Sequence, residues 1–132
     1  MSERHDPTAR IHLCDCNRSF ALDAGRLAAG TDAALHCHHA LCGAELPALE
    51  ASLARGQAVH VACTQESALF GELAEEAGAG ERIRFFNLRE SAGWSTESAA
   101  ATPKLAALIA AATTLADPEP VAAVQMSAGR SL

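Results

Sequence analysis

Short apolar runs alternate along this chain with stretches whose leucines recur at helical spacing. Residues 11–16, Ile-His-Leu-Cys-Asp-Cys, are short and apolar, stop at Asn17, and predict a strand. From Leu22 to Ala29 leucines stand among alanines and Gly30 ends the run. Ser19 or Asp23 occupies the capping position, so a short helix is expected. Residues 33–42 mix Leu35 and Leu41 with three histidines and read as a short strand running into a loop. Leu46, Leu49 and Leu53 then mark a helix over 45–55, with Pro47 in its first turn and Gly56 as its stop. Ala-Val-His-Val-Ala-Cys over 58–63 is the clearest strand. Thr64 or Ser67 caps the next helix, which places Leu69, Phe70 and Leu73 on one face and ends near Ala77 before Gly78. A strand over 82–88 and a polar loop over 89–98 follow. The last strong helix has Thr102 as N-cap and Pro103 at its first position, and runs to about Thr113.

This order, strand and helix in alternation four times over, predicts an α/β fold. Right-handed crossovers give a small parallel four-stranded sheet, of order about 2-1-3-4, in three layers with helices on both faces. Residues 1–9 read as a disordered lead, 10–115 as the α/β domain, and 116–132 as linker and tail. Asp117 to Pro120 form the linker, and Val121 to Met126 have the pattern of a strand with nothing after it. No internal repeat is visible.

Composition narrows the partners. Of 132 residues 49% are hydrophobic but only 4% aromatic, so alanine-rich helices supply much of the apolar count. The formal net charge of −6 argues against nucleic acid and anionic membrane, and suits docking to a basic partner. The longest apolar run, Leu105 to Ala112, is far short of the roughly 20 residues of a membrane span. The first residues are polar without a signal-peptide core, so no membrane insertion and a cytoplasmic location are expected. In such a reducing compartment five cysteines, an odd number, do not suggest a disulfide framework.

The cysteines carry the chemistry. In an open parallel sheet the carboxyl ends of the strands share one edge, and ligands bind there near the switch in strand order. Cys14 and Cys16 end the first expected strand, where period-two alternation sets them on one face. Cys42 follows the second strand region, and Cys63 ends the third. Four thiols from three segments therefore reach one edge, and thiolates suit iron–sulfur clusters, zinc or Cu(I). Simple burial is the competing role for each, Cys63 above all. The C-x-C spacing is not the usual zinc knuckle. His36, His38 and His39 precede Cys42; two of them joining Cys14 and Cys16 would make a zinc site, whereas solvation is the commoner fate of such histidines. His60, between Val59 and Val61, reads as a helix-facing strand residue. No orienting third group or glycine-rich oxyanion turn marks a nucleophilic cysteine, and Asp15 to Ser19 replace a dinucleotide-binding glycine loop.

Three stretches together resemble a family. They are Leu13-Cys-Asp-Cys16, Val61-Ala-Cys-Thr-Gln-Glu66, and Asn87-Leu-Arg-Glu-Ser-Ala-Gly-Trp-Ser95 with Ala101-Thr-Pro-Lys104. The chain, over roughly residues 10 to 115, is similar to the N-terminal domain of bacterial multi-cluster 4Fe-4S ferredoxin-type proteins. It is more distantly similar to the N-terminal domain of the A-type polypeptide of heterodisulfide reductase. The resemblance implies that Cys14, Cys16, Cys42 and Cys63 ligate one [4Fe–4S] cluster, and leaves Cys37 without a matching position. It also implies single-electron transfer within or to a larger ferredoxin-type system, with other iron–sulfur or flavin modules as partners. Arg89 and Arg18 would offset the cluster's negative charge, the amides after Cys63 would point at it, and Trp94 would cover it. In the plainer reading Arg89 pairs with Glu90 and Trp94 plugs the core. The C-x₂-C-x₂-C-x₃-C-P runs of ferredoxin modules do not occur in the sequence, so the domain is expected to be at most part of an oxidoreductase. Zinc-binding structural domain and metal-free docking domain stand as alternatives. The zinc site would use Cys14, Cys16 and Cys42 with either Cys63 or a histidine of the 36–39 group.

Overall fold

The computed structural model describes residues 8–114, 124–126 and 129. Four strands, β1 (Arg10–Cys14), β2 (Ala34–His38), β3 (Val59–Val61) and β4 (Ile83–Phe85), form one all-parallel sheet of order β2-β1-β3-β4. The expected strand order and the α/β class are therefore the observed ones. Helices α1 (Ala24–Ala28) and α4 (Thr102–Thr114) cover one face, and α2 (Leu46–Leu53) and α3 (Ser67–Glu76) cover the other.

Alternation in the strands explains the three layers. In β1, Ile11 and Leu13 pack with Leu27, Leu105 and Ile109 on the α1–α4 side. Val59, Val61 and Ile83 point to the opposite side, against Leu49, Leu53 and the wholly buried Phe70. Side chains of this size each contribute about 1.5–3 kcal/mol through burial. Asp23, not Ser19, caps α1, its Oδ1 accepting the Arg26 amide at 3.1 Å. Gly56 and Gly78, at φ +80° and +68°, make the turns after α2 and α3 that a side chain would strain.

The strands are shorter than the pattern implied. β1 stops at Cys14 rather than Cys16, because the Asp15 carboxylate accepts the Arg18 amide at 2.8 Å and folds the chain into a turn. Cys16, Asn17 and Arg18 all take the left-handed conformation there, at φ 49°, 64° and 63°. The expected polar loop over 89–98 contains a wide helical turn, Arg89–Gly93, with the Trp94 amide bonding the Arg89 carbonyl at 2.7 Å. Asn87 Oδ1 starts that turn by accepting the amide and hydroxyl of Ser91 at 2.9 and 2.7 Å.

At the amino end the disordered lead expected over 1–9 gives way by Ala9, which is buried and whose carbonyl accepts the Ala34 amide. Residues 1–7 lie outside the described residues, as does the linker over 117–120. Of the strand expected over 121–126, residues 124–126 are described; they have no regular structure and are exposed. No helix among the described residues is long and apolar enough to cross a membrane.

Candidate functional site

At the carboxyl edge of the sheet a cavity of about 270 Å³ opens between the loops that follow the four strands. Its lining includes Cys14, Cys16, Cys42 and Cys63, the four cysteines named from sequence, together with Arg89. Cys14 arrives as the last residue of β1. The left-handed turn carries Cys16, the loop after β2 carries Cys42, and the loop between β3 and α3 carries Cys63. Cys14 is buried, Cys16 and Cys63 are half-buried, and Cys42 is exposed at the mouth. Phe70 supplies an apolar wall.

The way Cys14 and Cys16 reach the cavity differs from the expectation. They do not share a strand face, since only Cys14 belongs to a strand. Three consecutive left-handed residues bring Cys16 round instead. Outside glycine that conformation is uncommon; asparagine tolerates it best. Its partner loop is bound to it directly, through the Asn17 amide to the His39 carbonyl at 2.6 Å and the Asp15 amide to the His38 carbonyl at 3.0 Å.

Hydrogen-bond donors surround the thiols. The amides of Leu41 and Cys16 face Cys14, and those of Gln65 and Glu66, ahead of α3, face Cys63. Burial raises both thiols above the ordinary value, and these amides oppose the rise. Neighbouring sulfur adds to it, Cys16 acting on Cys14 and Cys42 on Cys63, while Arg89 pulls Cys63 down. Both thiols are thus protonated at neutral pH, and each must lose its proton before it can bind a metal or act as a nucleophile.

Arg89 reaches both the thiol edge and its neighbour Glu90. Its Nη1 donates to Cys16 Sγ at 3.5 Å, and its Nε donates to Glu90 Oε1 at 2.7 Å. Its guanidinium lies 4.2 Å from the centre of the Trp94 ring. Trp94 neither covers the cavity nor plugs the core. It is 55% exposed, lies outside the lining, and donates its indole N–H to Ser19 Oγ at 2.8 Å. Its effect on the site passes through the arginine it stacks on. Arg18 is exposed and is not among the lining residues, its backbone amide serving the turn.

The remaining sequence candidates fall elsewhere. Cys37 pairs in register with Leu13, which puts it on the α1–α4 side, away from Cys14. Of the loop histidines only His39 lines the cavity, its Nδ1 held by Asp15 Oδ2 at 2.6 Å. His36 Nε2 contacts Arg10 Nη1 at 3.1 Å, and His38 turns inward to His12. His60 is half-buried on the α1–α4 side, in register with Ile11. Among the described residues no three His, Cys, Asp or Glu side chains gather closely enough to chelate a single metal ion. Tetrahedral zinc, with Zn–S of about 2.3 Å, needs such a gathering. A cube with one thiolate at each iron spreads its ligands further apart than a single ion does, and soft thiol donors are the kind that such a group takes.

Sequence reasoning did not find the buried histidines beneath the loop. His12 is 1% exposed and stacks on His36 and His38, with ring centroids 5.1 Å apart in each pair. The usable signal was His12 two residues before Cys14, on the same strand face.

Comparison with family models, with curated proteins and with solved structures gives no match to this chain.

Proposed function

We propose that this chain is a redox module that holds one [4Fe–4S] cluster on Cys14, Cys16, Cys42 and Cys63. The observation that carries the reading is the lining of a single cavity by four cysteines from three chain segments. When bound, such a group supplies reversible one-electron storage. The protein's own part is to hold four thiolates, to direct the amides of Leu41, Cys16, Gln65 and Glu66 at sulfur, and to set a fixed positive charge at Cys16 through Arg89. Amides and an arginine facing sulfur favour the reduced, more negative state and raise the potential. Electrons would pass to and from other iron–sulfur or flavin modules in the cytoplasm, where the thiols stay reduced.

Anaerobic reconstitution with ferrous iron and sulfide tests this. About four irons and four sulfides per chain are expected, with a broad absorption near 400 nm and an EPR signal on reduction. Fewer than about two irons, or one zinc and no iron in native mass spectrometry, would overturn it; the zinc result would instead make the chain a zinc-stabilised interaction domain.

A further inference from the structure

Beneath the loop that carries Cys42 runs a chain of polar contacts to which the thiol site gives no role. Ser52 Oγ lies 2.8 Å from His12 Nε2, and His12 Nδ1 lies 2.8 Å from His38 Nε2. His38 Nδ1 in turn lies 3.4 Å from Glu45 Oε1. Ser52, His12 and His38 are buried. The other oxygen of Glu45 accepts the amides of His39 and Ala40, each at 2.6 Å. Glu45 immediately precedes α2 but makes no capping bond to it; the side chain reaches back to the loop instead.

These contacts fix the protons. A carboxylate only accepts, so His38 presents its Nδ1–H to Glu45. A neutral His38 then has a bare Nε2, which must accept from His12 Nδ1–H. His12 therefore has a bare Nε2, which accepts from the Ser52 hydroxyl. Every donor in the chain points toward Glu45.

We infer that Glu45, oriented by the Ser52–His12–His38 chain, is the positioning residue for the loop from His39 to Cys42. That loop brings two things to the thiol site, the Cys42 side chain and the Leu41 amide that faces Cys14. Glu45 thus acts on two of the four thiols without touching either. Its relevance to a cluster rests on the proposed redox role, but the positioning itself is a property of the metal-free chain.

The test uses the full chain, reduced and without metal. Histidine ¹⁵N NMR is expected to show His12 and His38 both protonated at Nδ1. In Glu45→Ala, amide exchange at His39, Ala40 and Leu41 should accelerate roughly tenfold or more, since charge-assisted bonds to those amides are lost. Alkylation of Cys42 followed by mass spectrometry should speed up alongside. Glu45→Gln keeps an acceptor for the amides but turns an NH₂ toward His38. It should retain slow exchange and reverse both tautomers to Nε2–H, a change that a merely space-filling residue would not cause. Unchanged exchange and alkylation in Glu45→Ala, or Nε2–H tautomers in the unmodified chain, would overturn the inference. If Glu45→Ala does not fold, the tautomers of the unmodified chain and of Glu45→Gln decide. Failure of iron loading in the unmodified chain would refute the cluster reading and leave these readouts untouched.

Discussion

Arg89 is the residue on which the edge of the cavity depends most directly. It touches Cys16, Glu90 and Trp94 at once, so its removal has a spectroscopic signature. Arg89→Ala should shift and brighten or quench Trp94 emission while costing only about 0.5–1 kcal/mol of stability, the worth of an exposed cation–π contact. Unaltered emission would mean that the stack does not persist in solution. Lysine should not restore it fully, because a point charge cannot stack and fork as a guanidinium does. Cys14 and Cys63 lend the site a pH dependence whose sign follows from their raised values. A thiol protonated at neutral pH must release its proton to bind iron, so loading weakens as pH falls. The iron concentration for half-loading should rise by up to about tenfold per pH unit for each proton released. A titration series from pH 8.5 to 6.5 with flat midpoints would contradict this. At this scale the sequence was informative about which cysteines line one cavity. It was silent on the amides that face them, because backbone donors carry no side-chain label.

Among the elements, the wide turn Arg89–Gly93 is the piece that propensity could not foresee. Its residues are polar and show no apolar period, so they read as loop; Asn87 and the contact with Phe20 organise them instead. Gly93 is required there. A Cβ on it would meet the buried Phe20 ring at 2.5 Å, so the turn can lie against the segment that carries Cys16 only without a side chain. Gly93→Ala should therefore destabilise the fold by about 1–3 kcal/mol in denaturant titrations, and Phe20→Leu in the same chain should recover part of the loss. A neutral Gly93→Ala would show that Phe20 yields easily. The strand cores were legible from their β-branched and apolar runs, but their ends were not. Apolar pattern continues through Cys16, Cys63 and Leu88, while the ladders stop at Cys14, Val61 and Phe85. What ends β1 is a side-chain bond from Asp15, a local competition that periodicity does not register.

For the whole molecule, the alternation of strands and helices was enough to give strand order and layers, since handedness and short connections leave few topologies. The buried His12 makes the stability of that fold sensitive to acid. Its folded pKa of about 3 lies below its ordinary 6.5, so the unfolded chain takes up a proton that the folded chain refuses. Stability from this group is full above about pH 6.5 and is lost progressively as pH falls toward 3, by an amount on the order of a few kcal/mol. Glu45 and Glu90, both lowered by hydrogen bonds, act in the same direction below their ordinary range. His12→Gln should flatten the curve between pH 6.5 and 4.5 in thermal melts; an unchanged slope there would assign the acid sensitivity elsewhere.

The three segments that line the cavity lie far apart in the chain, at Cys14 and Cys16, at Cys42 and at Cys63, and only the assembled sheet makes them neighbours. A fragment lacking any one of them has no pocket to offer. Whatever occupies four such thiols would therefore report the state of the entire domain. On heating, its colour should bleach in the same transition in which the helices melt, and ligand in excess should push that shared midpoint upward.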